Sequence, residues 1–316
     1  MPVPIPGLTD AALQWLRDHH DVITSAALDD SGVGRATTRR LVRRGVLQRD
    51  QKGVFVASAS RSTLEQRCVA LCAAHPAGFV TGPTAGMLLG LRRMPRSAAI
   101  HFSVRHGVHL PKVTGVQFRQ TTALSPIDRV HRDHGIVTAS WVRLAFDLAA
   151  DLPPLDHLSV LQQLMHEMKV SVHELVAIER RLGHPARPGS GLFRRNLERL
   201  VGSPPNESHP EVVLAEALRA RGIPIENQTR LVRASNGRTA RVDLAVPTVR
   251  WGIELDIHPE HRTFDGHASD ARRTRDLHAL EWQIEPVTEA DMADVEKLAD
   301  ELARLYHARC RHPSVS

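Results

Sequence analysis

The stretch RVDLAVPTVRWGIELDIHPEH, residues 241–261, contains two apolar runs typical of β-strands, and acidic residues interrupt both of them. Asp243 lies in the first run, and Glu254 and Asp256 lie in the second. Because side chains alternate along a strand, Glu254 and Asp256 point to the same side. Carboxylates inside apolar strands are costly unless something pairs with them, and divalent cations prefer such oxygen ligands. We therefore predict a metal site formed by Asp243, Glu254 and Asp256.

The flanking residues predict a mixed α/β domain around this stretch. HPEVVLAEALRARG (209–222) is typical of an amphipathic helix that begins at a Ser208 cap and ends at Gly222. Strands are predicted at TRLVRA, TARVDLAV and WGIELDI, and the first two are joined by an Asn-Gly hairpin turn at 235–238. A helix over 269–280, a strand at WQIEPVT and a closing helix follow. The predicted order is α-β-β-β-α-β-α.

This C-terminal third of the chain resembles the small PD-(D/E)XK family related to very-short-patch-repair endonucleases. The matching residues, in chain order, are Glu211, Gln228, Val242-Asp243, Glu254-x-Asp256, His261 or His267, Asp270-x-x-Arg273 and Trp282. The resemblance implies a restriction-endonuclease-like αβββαβ core that hydrolyses phosphodiester bonds in DNA with Mg²⁺ or Mn²⁺.

The same resemblance implies roles for these side chains. Asp243 and Glu254 would hold the metal, Asp256 and Glu211 would complete or support the shell, and Gln228 and Arg273 would orient a phosphate or a carboxylate. The base would be metal-bound hydroxide or a histidine, His261 or His267, because arginine cannot act as one. Ser208-x-x-Glu211 also fits a capping box, so Glu211 is either a helix cap or an active-site acid.

Two departures from the family pattern favour an alternative function. Ile257 follows Glu-x-Asp where the family usually has glycine, and Asp256 stands where many PD-(D/E)XK enzymes have lysine. Residues 205–296 contain no lysine at all. The alternative is an antitoxin-like transcriptional repressor whose nuclease fold is catalytically inactive, and the retained Asp243 and Glu254 favour the enzyme.

The N-terminal residues predict a winged helix-turn-helix. LTDAALQWLRDHH (8–20), ITSAALDDSGV (23–33) and RATTRRLVRRGV (35–46) are typical of three helices, and VLQRDQKGVFVA (46–57) is typical of a hairpin. A recognition helix needs exposed cations for phosphates and guanine edges. The predicted DNA-binding residues are Arg35, Thr38, Arg39, Arg40, Arg43, Arg44, Arg49 and Lys52. The alternative is a solvated basic helix in a protein-interaction module.

Residues 8–200 resemble type IV abortive-infection antitoxins. The likeness continues beyond the winged helix through GFVTGPTAGMLLGL (78–91), IHFSV (100–104) and IVTASWVRLAFDLA (136–149). It implies a regulator that binds double-stranded DNA, with a toxin or another regulatory protein as a partner.

Composition and charge limit the class of protein further. The net charge is +6, but residues 205–316 are acidic on balance and the upstream residues are basic, as expected for a metal site and a nucleic-acid footprint. Three cysteines argue against a disulfide framework and fit a reducing compartment. The apolar run 68–91 is broken by Pro76, Gly78 and Pro83, so we interpret it as core and not as a membrane span.

Taken together, these patterns predict a multidomain α+β and α/β protein of the bacterial cytoplasm. The predicted domains are a winged helix at 1–58, a mixed α/β middle domain at 59–204 and a nuclease-like domain at 205–316. The turn-rich segment GSPPNESHP (202–210) sets the last boundary.

Overall fold

The computed structural model describes residues 7–96, 99–108, 113–200, 208–232, 239–256, 275, 277 and 279–311, without the side chains of residues 232, 239, 240 and 256. The chain divides into two compact units. The first comprises Met1–Leu152 and Ala177–Ser190, and the second comprises Pro153–Val176 and Gly191–Ser316. The predicted division into three domains is finer than this and stays a prediction.

The first unit begins with the predicted winged helix. Its elements are α1 (Asp10–Asp18), β1 (Val22–Thr24), α2 (Ser25–Asp30), α3 (Arg35–Arg43), β2 (Leu47–Gln51) and β3 (Val54–Ala57). The strands form an antiparallel sheet in the order β1-β3-β2. The helices pack Leu16, Leu28 and Leu41 against Leu47 and Phe55 of the wing. Burial of these apolar side chains holds the three short helices together, since none is long enough to be stable alone.

Local sequence signals explain where these elements begin and turn. The Thr24 hydroxyl accepts a hydrogen bond from the Ala27 amide at 3.1 Å, which caps α2. Gly53 adopts a φ of 75° between β2 and β3, a left-handed conformation that glycine reaches without strain. The glycine at position 53 therefore allows the tight turn that joins the two strands of the wing.

A five-stranded mixed sheet completes the first unit. Its elements are α4 (Leu64–Ala74), β4 (Phe79–Val80), α5 (Gly82–Leu88), β5 (Ile100–Arg105), β6 (Val116–Thr121), β7 (Arg129–His131), β8 (Val137–Ala139) and α6 (Trp141–Leu148), in strand order β6-β5-β4-β8-β7. The run 68–91 forms a helix, a short strand and a second helix, and most of it is buried in this core, as predicted. Among the described residues, no helix has the length and apolarity that a membrane crossing requires.

Asp128 is a buried charge that ties three parts of this unit together. It lies in a 3-10 turn before β7 and its side chain is 1% exposed. Arg143 of α6 donates to Asp128 Oδ2 at 3.3 Å, and the Arg181 guanidinium, from α8 (Val172–Leu182), hydrogen-bonds both carboxylate oxygens. Burial raises the pKa of Asp128, but the Arg181 hydrogen bond, the Ser125 amide and Arg143 outweigh it and hold the pKa below its usual range.

The second unit contains a four-stranded sheet between helices. Its elements are α7 (Pro154–His166), α9 (Ser190–Leu200), α10 (His209–Ala220), β9 (Glu226–Val232), β10 (Thr239–Val246), β11 (Trp251–Asp256), β12 (Gln283–Thr288) and α11 (Val295–Arg311). The strand order is β12-β11-β10-β9, and only the β11–β12 pair is parallel. Ser208 caps α10, and Gly222, with a φ of 76°, follows its last turn.

The mixed α/β architecture and the winged helix are confirmed, and the predicted strands of the second unit are present. The predicted helix over 269–280 lies mostly outside the described residues, although residues 275, 277 and 279 are helical. Assignment of this unit to the nuclease fold stays a prediction.

Close packing across β11 leaves no space for a side chain at position 252. A Cβ added to Gly252 would lie 2.7 Å from Val242 Cγ1 of β10 and 3.1 Å from Ile284 Cδ1 of β12. Val242 is fully buried and β-branched, so it cannot move aside cheaply. The neighbouring Trp251 is also fully buried and packs edge-on against Tyr306 of α11, with ring centroids 5.6 Å apart.

We expect Gly252→Ala to lower the free energy of unfolding of the second unit by about 1–3 kcal/mol, the usual cost of overpacking a core. Gly191→Ala in α9 is the matched control, because the nearest atom to its added Cβ is a flexible guanidinium nitrogen 3.6 Å away. Denaturant unfolding should show a loss for the first variant only. Equal stability of the two variants would contradict the packing of β11.

We also expect Asp128→Asn to destabilise the first unit by roughly 3 kcal/mol at neutral pH, because two arginines lose their buried counter-charge. The pKa of Asp128 is lowered by folding, so its stabilising effect is present above the unfolded-state pKa and is lost as pH falls through the folded-state pKa. The difference between wild type and variant should therefore shrink below about pH 4. Asp30→Asn, at an exposed helix end, should unfold like wild type at every pH.

Candidate functional site

The exposed face of α3 carries most of the predicted DNA-binding cations. Leu41 is 1% exposed and anchors the helix to the core, so the opposite face projects into solvent. Arg35, Arg39, Arg40 and Arg43 are exposed along the helix, as is Arg44 at its C-cap. The helix begins at Gly34 without a side-chain cap, and the Thr38 hydroxyl donates to the Gly34 carbonyl at 3.3 Å.

The wing adds one cation to this face and carries a second at its turn. Arg49 of β2 and Lys52 of the turn are exposed, and the Arg49 guanidinium lies 5.8 Å from the centre of the Phe55 ring. A groove of about 460 Å³ runs between helix and wing and is lined by Thr38, Arg39, Val42, Arg43, Arg49 and Phe55. The structure thus brings the two predicted basic segments to one surface.

None of these seven cations is neutralised within the part of the chain that the structure describes. Ion pairs occur elsewhere in both units, but no acidic side chain lies within ion-pairing distance of the helix or wing cations. Like charges four residues apart on a helix repel one another, as Arg39 and Arg43 do. An external polyanion would relieve this repulsion.

In the second unit, Glu211 contacts residues on both sides of it in the sequence. The Ser208 hydroxyl donates to Glu211 Oε1 at 2.7 Å, and the Gln228 amide donates to Glu211 Oε2 at 2.7 Å. Glu211 is 5% exposed. Glu211 therefore takes part in the start of α10 and also contacts Gln228 of β9. A role as a helix cap and a role as an active-site acid are compatible with each other.

The backbone of the sheet is strained at the level of Asp243. In the β9–β10 ladder Val242 pairs with Thr229 and Leu244 with Asn227, so the register places Asp243 level with Gln228. Gln228 adopts a φ of 54°, a left-handed conformation that costs a non-glycine residue about 1–2 kcal/mol. Backbone strain of this kind is concentrated at functional sites.

The ladder on the other side of β10 opens at the same level. Its described pairs end at Leu244–Ile253, and the Leu255 amide instead donates to Asp243 Oδ2 at 3.0 Å. Continuing the register by one residue makes Asp243 level with Glu254, so both carboxylates belong to one face of the sheet. Gln228 Oε1 is buried and has no hydrogen-bond partner among the described residues.

Four of the predicted catalytic and metal-binding groups fall beyond the described part of the chain. These are the side chain of Asp256 and the whole of His261, of its alternative His267 and of Arg273. Among the groups that are described, no set of three or more histidine, cysteine, aspartate or glutamate side chains is arranged to hold a metal ion. The described part of the proposed metal site therefore consists of Asp243 and Glu254.

The sequence analysis missed a second concentration of charge, in the first unit. Arg119, Arg143, Arg181 and Arg187 come from separate segments and line one cavity together with Asp147 and Asp151. No spacing in the sequence could have indicated this, because the residues meet only through the five-stranded sheet and the helices beside it.

Known proteins resemble the chain mainly in its N-terminal region. Residues 10–57 match the family model described as a transcriptional regulator, the AbiEi antitoxin. The match runs from the first residue of α1 to the last residue of β3 and so covers the whole winged helix. This supports a regulator domain of the AbiEi antitoxin type at these residues.

Other comparisons assign nothing further. A solved structure, the RV2827C protein from Mycobacterium tuberculosis, is similar over 66% of this chain and 83% of that chain, with 20% sequence identity and a TM-score of 0.42. A likeness at that level assigns neither fold nor function. No curated protein matches the chain.

The strained backbone at Gln228 can be tested with two substitutions. Gln228→Gly and Gln228→Ala both remove the hydrogen bond to Glu211, but only glycine relieves the left-handed conformation. We expect the glycine variant to be more stable than the alanine variant by about 1 kcal/mol in denaturant unfolding. The opposite order would mean that Gln228 is in ordinary extended conformation.

Proposed function

We propose that this protein is a DNA-binding transcriptional regulator of the toxin–antitoxin type. The observation that carries the proposal is that the family match and the seven unneutralised cations coincide on the same winged helix. Double-stranded DNA is the partner that this surface fits, and a cognate toxin or another regulatory protein belongs to the same proposal. A regulator of this kind works in the bacterial cytoplasm, where the DNA is.

The geometry of the winged helix explains how it would bind. Helix α3 presents its arginines on one face and is narrow enough to enter the major groove. Arg39 and Arg43, at the groove beside the wing, would contact phosphates or guanine edges. Arg49 and Lys52 of the wing would contact the sugar-phosphate backbone and fix the orientation of the domain.

We expect the variant with Arg39, Arg40, Arg43 and Arg44 changed to alanine to lose roughly a hundredfold or more in affinity for mixed-sequence duplex DNA at low salt. The slope of log affinity against log salt should become shallower by up to about four units, because each lost phosphate contact removes about one. Fluorescence anisotropy titrations at several salt concentrations measure both quantities.

The control removes the same charge from elsewhere in the first unit. Arg61, Arg96, Arg105 and Arg180 are exposed and lie outside the winged helix, and all four are changed to alanine. This variant should keep most of the affinity of wild type. If the two quadruple variants lose affinity equally, net charge and not the winged helix governs binding.

A second candidate function is phosphodiester hydrolysis by the C-terminal unit. Its supporting observation is that Gln228 contacts Glu211 and that strand register places Asp243 level with both Gln228 and Glu254. The αβββ order of the helix and strands around them agrees with the PD-(D/E)XK pattern. This candidate makes the protein a DNA endonuclease as well as a regulator.

The described residues offer two carboxylates to a divalent cation, which is few but sufficient for Mg²⁺. Asp243 and Glu254 would hold Mg²⁺ or Mn²⁺, which needs as few as one or two protein carboxylates when water and phosphate oxygens fill the other positions. The buried and unpartnered Gln228 Oε1 offers a further oxygen. When bound, such an ion activates water and stabilises the charge that develops on the phosphate.

The other residues have supporting roles in this candidate function. Glu211 would hold Gln228 in place, Asp256 would complete the metal shell, and Arg273 would orient the phosphate. His261 would take the proton from the attacking water, since residues 205–296 contain no lysine to do so. The antitoxin-like repressor with an inactive nuclease fold is the competing outcome.

Metal dependence tests this candidate. Mg²⁺ or Mn²⁺ should raise the melting temperature of the C-terminal unit in the wild type, because a ligand that binds only the folded state stabilises it. Asp243→Asn and Glu254→Gln should each remove this response and abolish any nicking of plasmid DNA. Asp256→Ala should act more mildly, and Asp256→Lys should strengthen cleavage by supplying a cation to the phosphate.

The matched control is Asp300→Asn on α11, an exposed acid that pairs with Arg221 on the protein surface. It should leave the metal response unchanged. A melting temperature that is independent of metal, together with intact plasmid in Mn²⁺, would leave the repressor as the function of this chain.

A further inference from the structure

A cavity of about 940 Å³ opens in the first compact unit. Its walls are β5, β6, α6 and the C-terminal end of α8 with the loop that follows, and none of its lining residues belongs to the winged helix. Ligand pockets for small organic molecules have volumes of about 300–1,000 Å³. The cavity therefore has the size of a site for such a molecule.

The carboxylates around the cavity are already engaged by arginines. Asp151 is paired with Arg119. Asp147 accepts hydrogen bonds from Arg143 Nε at 2.9 Å and from the Thr81 hydroxyl at 2.7 Å. As described above, Asp128 holds Arg143 and Arg181. These acids therefore leave little negative charge for a further cation.

Arg187 is the cavity arginine that forms no ion pair with these acids in the described part of the chain, although Asp147 and Asp128 still attract it. Its Nη1 is buried and has no hydrogen-bond partner among the described residues, and its guanidinium lies 6.0 Å from the centre of the Phe146 ring. Burial and the nearby Arg143 lower the pKa of Arg187, although arginine stays protonated in proteins. A buried donor without a partner costs roughly 1–3 kcal/mol, and more when it is charged. An anion in the cavity would remove this cost.

The carboxylate of Asp151 also lines the cavity. A bare inorganic anion would not hydrogen-bond to this carboxylate, whereas a hydroxyl or amino group on an organic molecule would. The cavity also has apolar lining from Phe146, Leu182 and Pro188, against which the body of such a molecule would pack.

We propose that this cavity binds a small phosphate-bearing organic molecule, whose phosphate contacts Arg187 and Arg181 and whose body donates a hydrogen bond to Asp151. A phosphate fits better than a carboxylate, because it carries up to two negative charges and three acceptor oxygens that match several guanidinium groups. This ligand site is independent of the proposed DNA-binding function.

Calorimetric titration of the full chain with adenosine 5′-diphosphate, pyrophosphate and adenosine tests the proposal, at constant ionic strength in buffer with EDTA. Adenosine diphosphate carries both the phosphate and a body with hydrogen-bond donors, pyrophosphate only the anion, and adenosine only the body. We expect the diphosphate to bind most tightly, pyrophosphate more weakly and adenosine weakest of all. Absence of heat from both anions at millimolar concentration would overturn the proposal.

Three variants locate the binding. Arg187→Gln should weaken both anions about tenfold or more, as expected for the loss of a charge-assisted hydrogen bond. Ala186→Trp, at an exposed position in the cavity wall, should block adenosine diphosphate without changing any charge. Arg180→Gln removes an exposed arginine that does not line the cavity and should bind like wild type.

Two further outcomes distinguish a ligand site at Arg187 from a structural role of this arginine and from anion binding at the winged helix. Arg187→Gln should not lower the melting temperature without ligand, because the arginine has an unpartnered buried donor; a lower melting temperature with unchanged binding would make Arg187 a structural residue. The quadruple α3 arginine variant should keep its affinity for both anions. Loss of binding in that variant would assign the anions to the winged helix and overturn the proposal.

Discussion

A charged side chain inside a sheet must find a partner, and Asp243 is where the second unit meets this constraint. Its carboxylate accepts a hydrogen bond from the Leu255 amide, and strand register places it level with Gln228 of β9. Gln228 adopts a left-handed conformation there, and its side-chain amide donates to Glu211. One polar residue in an apolar strand thus organises the residues of the candidate catalytic site.

The same constraint shapes the first unit. Asp128 is fully buried and is held by Arg143 and Arg181, which come from two different helices. Because a buried ion pair is destabilising when either partner is lost, these contacts fix how α6 and the end of α8 stand against the sheet. Arg187 comes after the C-terminal end of α8 and lines the cavity, and its Nη1 has no hydrogen-bond partner among the described residues.

The cations that have no acidic partner therefore indicate where an anionic ligand would bind. Buried acids in both units have partners, whereas the arginines of α3 and the cations of the wing have none among the described residues. A protein keeps exposed like charges together when a ligand supplies the opposite charge. This contrast between matched and unmatched charge supports a nucleic-acid surface on the winged helix and an anion in the cavity.

The sequence by itself determined the features that depend on neighbouring residues. The cap at Thr24, the cap at Ser208, the wing turn and the basic face of α3 follow from local hydrogen bonds, glycine conformation and helical period. Only the tertiary structure decided the left-handed Gln228, its contact with Glu211 and the cavity around Arg187. These depend on strand register and helix packing between residues far apart in the chain, which local preferences do not encode.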